Sequence, residues 1–228
     1  MTSTPADCGH HGAGGVSITD GPGRDEHGVW LVTGASRGFG RTVAQASLRA
    51  GRRVVATADQ VEELWPLAAE HGAAVVAMAL DLGDELADRE TVERVVATFG
   101  RIDVVVVHTD FDLARPRMPA DASHAARTGL FGALWISQAA LSHMRTEGHG
   151  HIVQVFDPDL ADGEEWPSGL DQVRHAVEGF SERLAREAAS FGVEVTICVP
   201  SQHYDAWSAS AEGRRYTVVR FEQVLDEG

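Results

Sequence analysis

The segment from Val29 to Gly40 limits the folds open to this chain more than any other. A short apolar run, Val29 to Thr33, leads directly into Thr33-Gly34-Ala35-Ser36-Arg37-Gly38-Phe39-Gly40, and a helical pattern extends from about Phe39 to Ala50. The glycines let the backbone turn tightly and come close to a ligand, because no Cβ stands in the way. A helix that starts at such a turn presents unpaired N–H groups and a partial positive charge, which suits a phosphate. Strand, glycine turn and helix in that order open a βαβ unit. Gly34, Ser36, Arg37, Gly38, Phe39 and Gly40 are therefore candidate contacts to a pyrophosphate.

The rest of the chain continues the unit. Apolar strands are expected at Val54 to Ala58, Ala74 to Leu80, Asp103 to Val107, Ile152 to Phe156 and Val193 to Val199, and a short last strand within Tyr216 to Phe221. Helices are expected at about Val61 to His71, Glu85 to Phe99, Ser123 to Arg145 and Leu170 to Phe191, the last with Val173, Val177, Phe180 and Leu184 on one face. Continuous apolar strands alternating with amphipathic helices imply a parallel sheet covered on both faces. The expected fold class is α/β, a doubly wound Rossmann-type parallel sheet in three layers, as a single domain from residue 28 to 228. Residues 1–27, rich in Gly, His, Asp, Thr and Pro without an apolar period, read as a disordered tail. Cys8-Gly9-His10-His11 within it has metal-ligating residue types but no folded frame, so no metal site is assigned. His143, His149 and His151 fit no usual zinc spacing and are placed at a solvated turn.

Charge and cysteine content narrow the partners and the compartment. A formal net charge of -15 repels phosphate backbones and anionic lipid, so nucleic acid and membrane surfaces are not expected partners. No apolar run has the length of a membrane span, and no signal peptide is visible at the N-terminus. Cys8 and Cys198 read as free thiols of a cytoplasmic protein.

The glycine turn, Thr-Gly-x-x-x-Gly-x-Gly, resembles the nucleotide loop of the short-chain dehydrogenase/reductase (SDR) family. The resemblance runs from Val29 to Trp207. Gly51-Arg52-Arg53-Val54-Val55-Ala56-Thr57-Ala58 is similar to the family's second strand, and Asp81-Leu82 to its adenine-contacting pair after the third. Phe99-Gly100-Arg101-Ile102-Asp103 is similar to the entry to its fourth strand. Gly150-His151-Ile152-Val153 and Ala176-Val177-Glu178-Gly179-Phe180 match its fifth strand and following helix. The resemblance implies an NAD(P) cofactor. Arg37 stands where many NADP-dependent members carry a basic residue. Asp59, past the second strand, would instead repel a 2′-phosphate and accept from ribose hydroxyls, so NAD against NADP stays open.

The catalytic positions depart from the family. Its Tyr-x-x-x-Lys pair falls on Leu170 and Arg174, its Ser on Asp157 and its Asn on Gly129. Leucine has no proton to transfer. All nineteen basic residues are Arg, so no alignment register supplies a Tyr-Lys pair. The family's Asn-Asn-Ala-Gly reads Val107-His108-Thr109-Asp110, and its Pro-Gly after the sixth strand reads Pro200-Ser201. Tyr204 and Tyr216 lack a basic residue at the required helical spacing. Beyond Pro200 the family's substrate lid is expected to be much reduced. Asp157, Arg174 and His108 remain as candidate acid/base residues.

These residues imply first a non-reducing SDR homologue with a nucleotide-binding, scaffold or regulatory role. Two alternatives stand beside it: an atypical NAD(P)-dependent oxidoreductase acting on ketones or quinones, and a non-redox lyase or cyclase. The family's usual pairing through the long helix and the Leu170 helix implies a homo-oligomer, or a hetero-oligomer with an SDR relative.

Overall fold

The structure is a computed structural model and describes residues 28–110, 126–157, 168–198 and 217–219. The expected tail, the Cys8-His10-His11 cluster, Ser201 and Tyr204 lie outside these residues. The order is β1 (Val29–Val32), α1 (Gly38–Arg49), β2 (Arg53–Ala58), α2 (Trp65–His71), β3 (Val75–Ala79), α3 (Glu85–Phe99) and β4 (Val104–Asp110). A π-helical stretch (Ala126–Gly132) then leads into α4 (Ala133–Glu147), β5 (Gly150–Asp157), α5 (Ser168–Ala188), β6 (Val193–Cys198) and β7 (Thr217–Val219).

All strands are parallel, in the order β3-β2-β1-β4-β5-β6-β7. The chain therefore reverses its winding between β1 and β4. Their carboxyl ends flank the crevice where doubly wound sheets take ligands. Successive side chains along each strand point to opposite faces. Leu31, Val105 and Ile152 pack with α3, α4 and α5, whereas Trp30, Val104, Val106 and Val153 pack with α1 and α2. Burial on both faces is why these strands read as unbroken apolar runs.

The elements differ from expectation in three places. The stretch from Val61 is a 3-10 turn (Val61–Leu64) before α2, because Pro66 suits a helix start but not its interior. The long helix before β5 opens with π-type turns at the stretch holding Gly129 and Gly132. There a Cβ on Gly132 would meet Leu82 Cγ at 2.5 Å. Strand β4 runs three residues past Val107, paired with β5 up to Asp110 opposite Asp157. Among the described residues no helix is long and apolar enough to cross a membrane.

The amino ends of the central strands are held by one carboxylate. Asp103 is fully buried, and its Oδ2 accepts from the Val29 N–H at 2.8 Å. Its Oδ1 accepts from Arg101 Nη2 at 2.6 Å and Nε at 3.1 Å, and lies 3.2 Å from His149 Nε2. The solvated-turn reading is corrected for His151, while His149 stays a quarter exposed in the turn. His149 joins this cluster, and His151 is buried in β5 with Nε2 2.8 Å from Thr196 Oγ1.

Burial alone would raise the Asp103 pKa. The hydrogen bonds from Arg101, the Val29 N–H and His149, with the Arg101 charge, hold it below the ordinary value instead. The depressed group stabilises the fold above its unfolded pKa, and that stability is lost as pH falls through the folded value. Asp103→Asn is expected to cost about 3 kcal/mol at neutral pH, since it leaves Arg101 facing an uncharged partner. Urea unfolding at neutral and acidic pH checks this, with the difference from wild type shrinking in acid.

Candidate functional site

The glycine turn forms where β1 ends. Gly34 and Gly38 adopt φ of 58° and 55°, values that a side chain disfavours. The turn is tied to both neighbouring strands. Thr33 N–H donates to Val106 O at 3.0 Å, and Ala35 N–H donates to Thr57 O at 2.8 Å. Arg41, in the first turn of α1, adds weak contacts from Nη1 to Ser36 O at 3.5 Å and Glu63 O at 3.4 Å.

Arg37 is the N-cap residue in extended conformation, and no side chain caps the helix. The first N–H groups of a helix have no acceptor within it. Nothing lies within 4 Å of where a Cβ on Gly38 would stand, so the space before the helix is open on that side. Donors, space and dipole together fit a pyrophosphate.

Beneath the turn lies His108, 3% exposed. Its N–H donates to Thr33 Oγ1 at 2.9 Å, and the Thr33 hydroxyl donates back to His108 O at 2.9 Å. The imidazole faces the turn, with Nδ1 3.3 Å from Gly34 O and the ring centroid 5.9 Å from that of Phe39. A Cβ on Gly34 or on Gly40 would each come within 2.9 Å of His108 Nδ1.

The other predicted contacts share the carboxyl edge of the sheet. Asp59 is exposed just past β2. Asp81 is exposed past β3, and Leu82 beside it is buried against Gly132. Leu80 N–H donates to Ala58 O at 2.9 Å, which keeps these two strand ends together.

The four residues that the sequence comparison set against the family's catalytic positions lie on β5, the π-helical stretch and α5. Asp157 is the last residue of β5, and Gly129 is buried in the π-helical stretch. Leu170 and Arg174 stand one turn apart near the start of α5, a helix that packs on that stretch. His108 is two residues before the end of β4, and its ring lies under the turn.

Sequence reasoning missed Asp88, four residues beyond the α3 N-cap Asp84. It is fully buried, with Oδ2 accepting from Gly83 N–H at 3.2 Å and Oδ1 without a hydrogen-bond partner. The signal was present, since Asp88, Val92 and Val95 follow the spacing of one helix face.

Residues 28–206 match the family model described as short chain dehydrogenase. The chain belongs to the short-chain dehydrogenase/reductase family. It is 33% identical over 187 residues to a protein named oxidoreductase BOA17 from Botryotinia fuckeliana (strain B05.10), covering 80% of this chain and 68% of that one. A short-chain dehydrogenase from Streptomyces avermitilis superposes with TM-score 0.68 at 32% identity, covering 76% of this SDR chain. The match spans 65% of the Streptomyces chain, slightly under two thirds of its length. A metagenomic short-chain oxidoreductase in complex with NADP superposes with TM-score 0.69 at 25% identity, covering 85% and 96% of the two chains. The SDR fold is thus shared over most of the chain.

Proposed function

We propose that this SDR protein binds NAD(P) and acts as an atypical oxidoreductase that does without the Tyr-Lys pair. The observation that carries the reading is the Thr33–Gly40 turn, closed on β2 and β4 with open space at Gly38. The naming of a relative as an oxidoreductase and the NADP held by a neighbour of the same fold support it. In this reading Gly38, Phe39 and Gly40 hold the pyrophosphate by backbone N–H groups. Asp81 and Leu82 line the adenine side. Arg37 and Asp59 pull in opposite directions on a 2′-phosphate.

A bound nicotinamide supplies the hydride. Asp157 and Arg174 are the residues we assign to the reacting end. Arg174 keeps the positive charge of the Lys position for a ribose or a substrate anion. Asp157 serves for proton exchange, which suits quinone-like substrates that also take protons from water. His108 belongs with the turn rather than with proton transfer, since its ring faces Gly34. Pairing through α4 and α5 accompanies this reading.

Titration with NADPH, NADH and NAD⁺ by fluorescence or calorimetry tests it, followed by loss of nicotinamide absorbance with a quinone. Saturable binding and turnover are expected. No binding of any form at about 1 mM, near the weak limit of specific affinity, would sink the proposal. Binding without turnover on any acceptor would favour the second reading, a non-reducing sensor or regulator. The observation behind that reading is leucine at the Tyr position.

A further inference from the structure

The glycines of a phosphate turn are usually explained by the ligand above them. Here two of the three are also explained from below. Cβ atoms on Gly34 and on Gly40 would both come 2.9 Å from the same atom, His108 Nδ1. The ring shares that space with backbone, since Gly34 O lies nearest a Gly40 Cβ and His108 O lies as near a Gly34 Cβ as the ring does. Phe39 closes one side of it, with the ring planes at 33°.

The partner of Nδ1 also fixes its chemistry. Gly34 O is a carbonyl and can only accept. A contact of 3.3 Å between Nδ1 and that oxygen is attractive only if Nδ1 carries the proton. An unprotonated Nδ1 would set a lone pair against the carbonyl oxygen. The backbone of His108 is held by the two-way hydrogen bond with Thr33, which fixes the point from which the ring reaches the turn.

We infer that His108 is a positioning residue of the phosphate turn: its Nδ1–H, donated to Gly34 O, holds Gly34 to Gly40 in the shape that takes a pyrophosphate. The inference deepens the nucleotide-binding reading and rests on it for the ligand. The placement of the turn by the ring stands independently of any ligand. An asparagine at 108 can donate from its amide to the same carbonyl. A leucine of similar bulk cannot.

The experiment has two arms. In the first, the protein carrying ¹⁵N-histidine and no added nucleotide is examined by long-range ¹H–¹⁵N correlation. Nδ1 of His108 is expected to be of the proton-bearing type. A lone-pair type of resonance at Nδ1 would overturn the inference, whether or not nucleotide binds. The second arm compares His108→Leu with His108→Asn, each checked for native circular dichroism. His108→Leu is expected to shift the amide resonances of Gly34 to Gly40 and to weaken NADPH or NADH binding about tenfold, the worth of one hydrogen bond. His108→Asn is expected to restore both. Equal turn resonances in wild type and His108→Leu would overturn the inference. So would equal affinity of the two variants. If wild type binds no nucleotide, the functional proposal fails while the turn resonances still decide the role of His108.

Discussion

Asp88→Asn is expected to stabilise the protein by about 2 kcal/mol at pH 8 and to change little near pH 3. The reason lies in an acid placed where the fold offers it half a partner. Burial raises the Asp88 pKa from 3.8 to about 7, and the negative charges of Asp84 and Asp81 add to the rise; the Gly83 N–H works against it. The raised group contributes stability that is fully present below its unfolded pKa. That stability is lost as pH rises from about 4 to about 7. A difference of that size corresponds to on the order of 4 kcal/mol. Asparagine removes the ionisation but leaves one amide group poorly paired, so the expected gain is about half. Urea unfolding of both proteins across this pH range checks the claim. A difference that does not grow with pH would show that Asp88 is not held protonated.

The second large effect concerns binding. Gly40→Ala is expected to weaken nucleotide binding by more than about 100-fold, because a positioned backbone donor set gains nothing from a turn that has moved. Its Cβ would overlap Gly34 O and press on His108 Nδ1. Backbone and a wedged ring cannot yield as a flexible side chain would. Gly72→Ala is the matched control. Gly72 has φ of 55°, no atom within 4 Å of its absent Cβ, and a place at the end of α2. That substitution is expected to cost about 1 kcal/mol from the left-handed backbone alone and to leave affinity unchanged. Calorimetric titration of both variants, with thermal unfolding beside it, separates loss of the turn from loss of stability.

The sheet was legible because both its faces are covered. Runs such as Val54 to Ala58 and Val104 to Val107 have no polar alternation to confuse with a solvated strand, and helices separate them at regular intervals. The π-helical stretch at Ala126–Gly132 was not legible. Glycine at 129 and 132 marks weak helix, but the need for glycine at 132 shows only in the close approach of Leu82 from a distant part of the chain. The contacts of the histidines before and within β5 were not legible for a related cause. Their partners, Asp103 and Thr196, lie 46 and 45 positions away, so no local window shows them.

The sequence by itself determined the doubly wound fold, the glycine turn from Thr33 to Gly40 and the identity of Leu170 and Arg174. These rest on local periodicity, on turn chemistry and on residue identity, which do not depend on distant parts of the chain. Only the tertiary structure decided where His108 and Asp88 lie and what surrounds them. His108 was a candidate acid by residue type, and the pairing of β1 with β4 puts its ring beneath Gly34 and Gly40. Asp88 was one acid among 34 Asp and Glu, and the fold buries it fully beside the Gly83 N–H. A side chain's charge state and partner are set by what the fold brings against it, and a strand pair 75 residues apart carries that information in space alone.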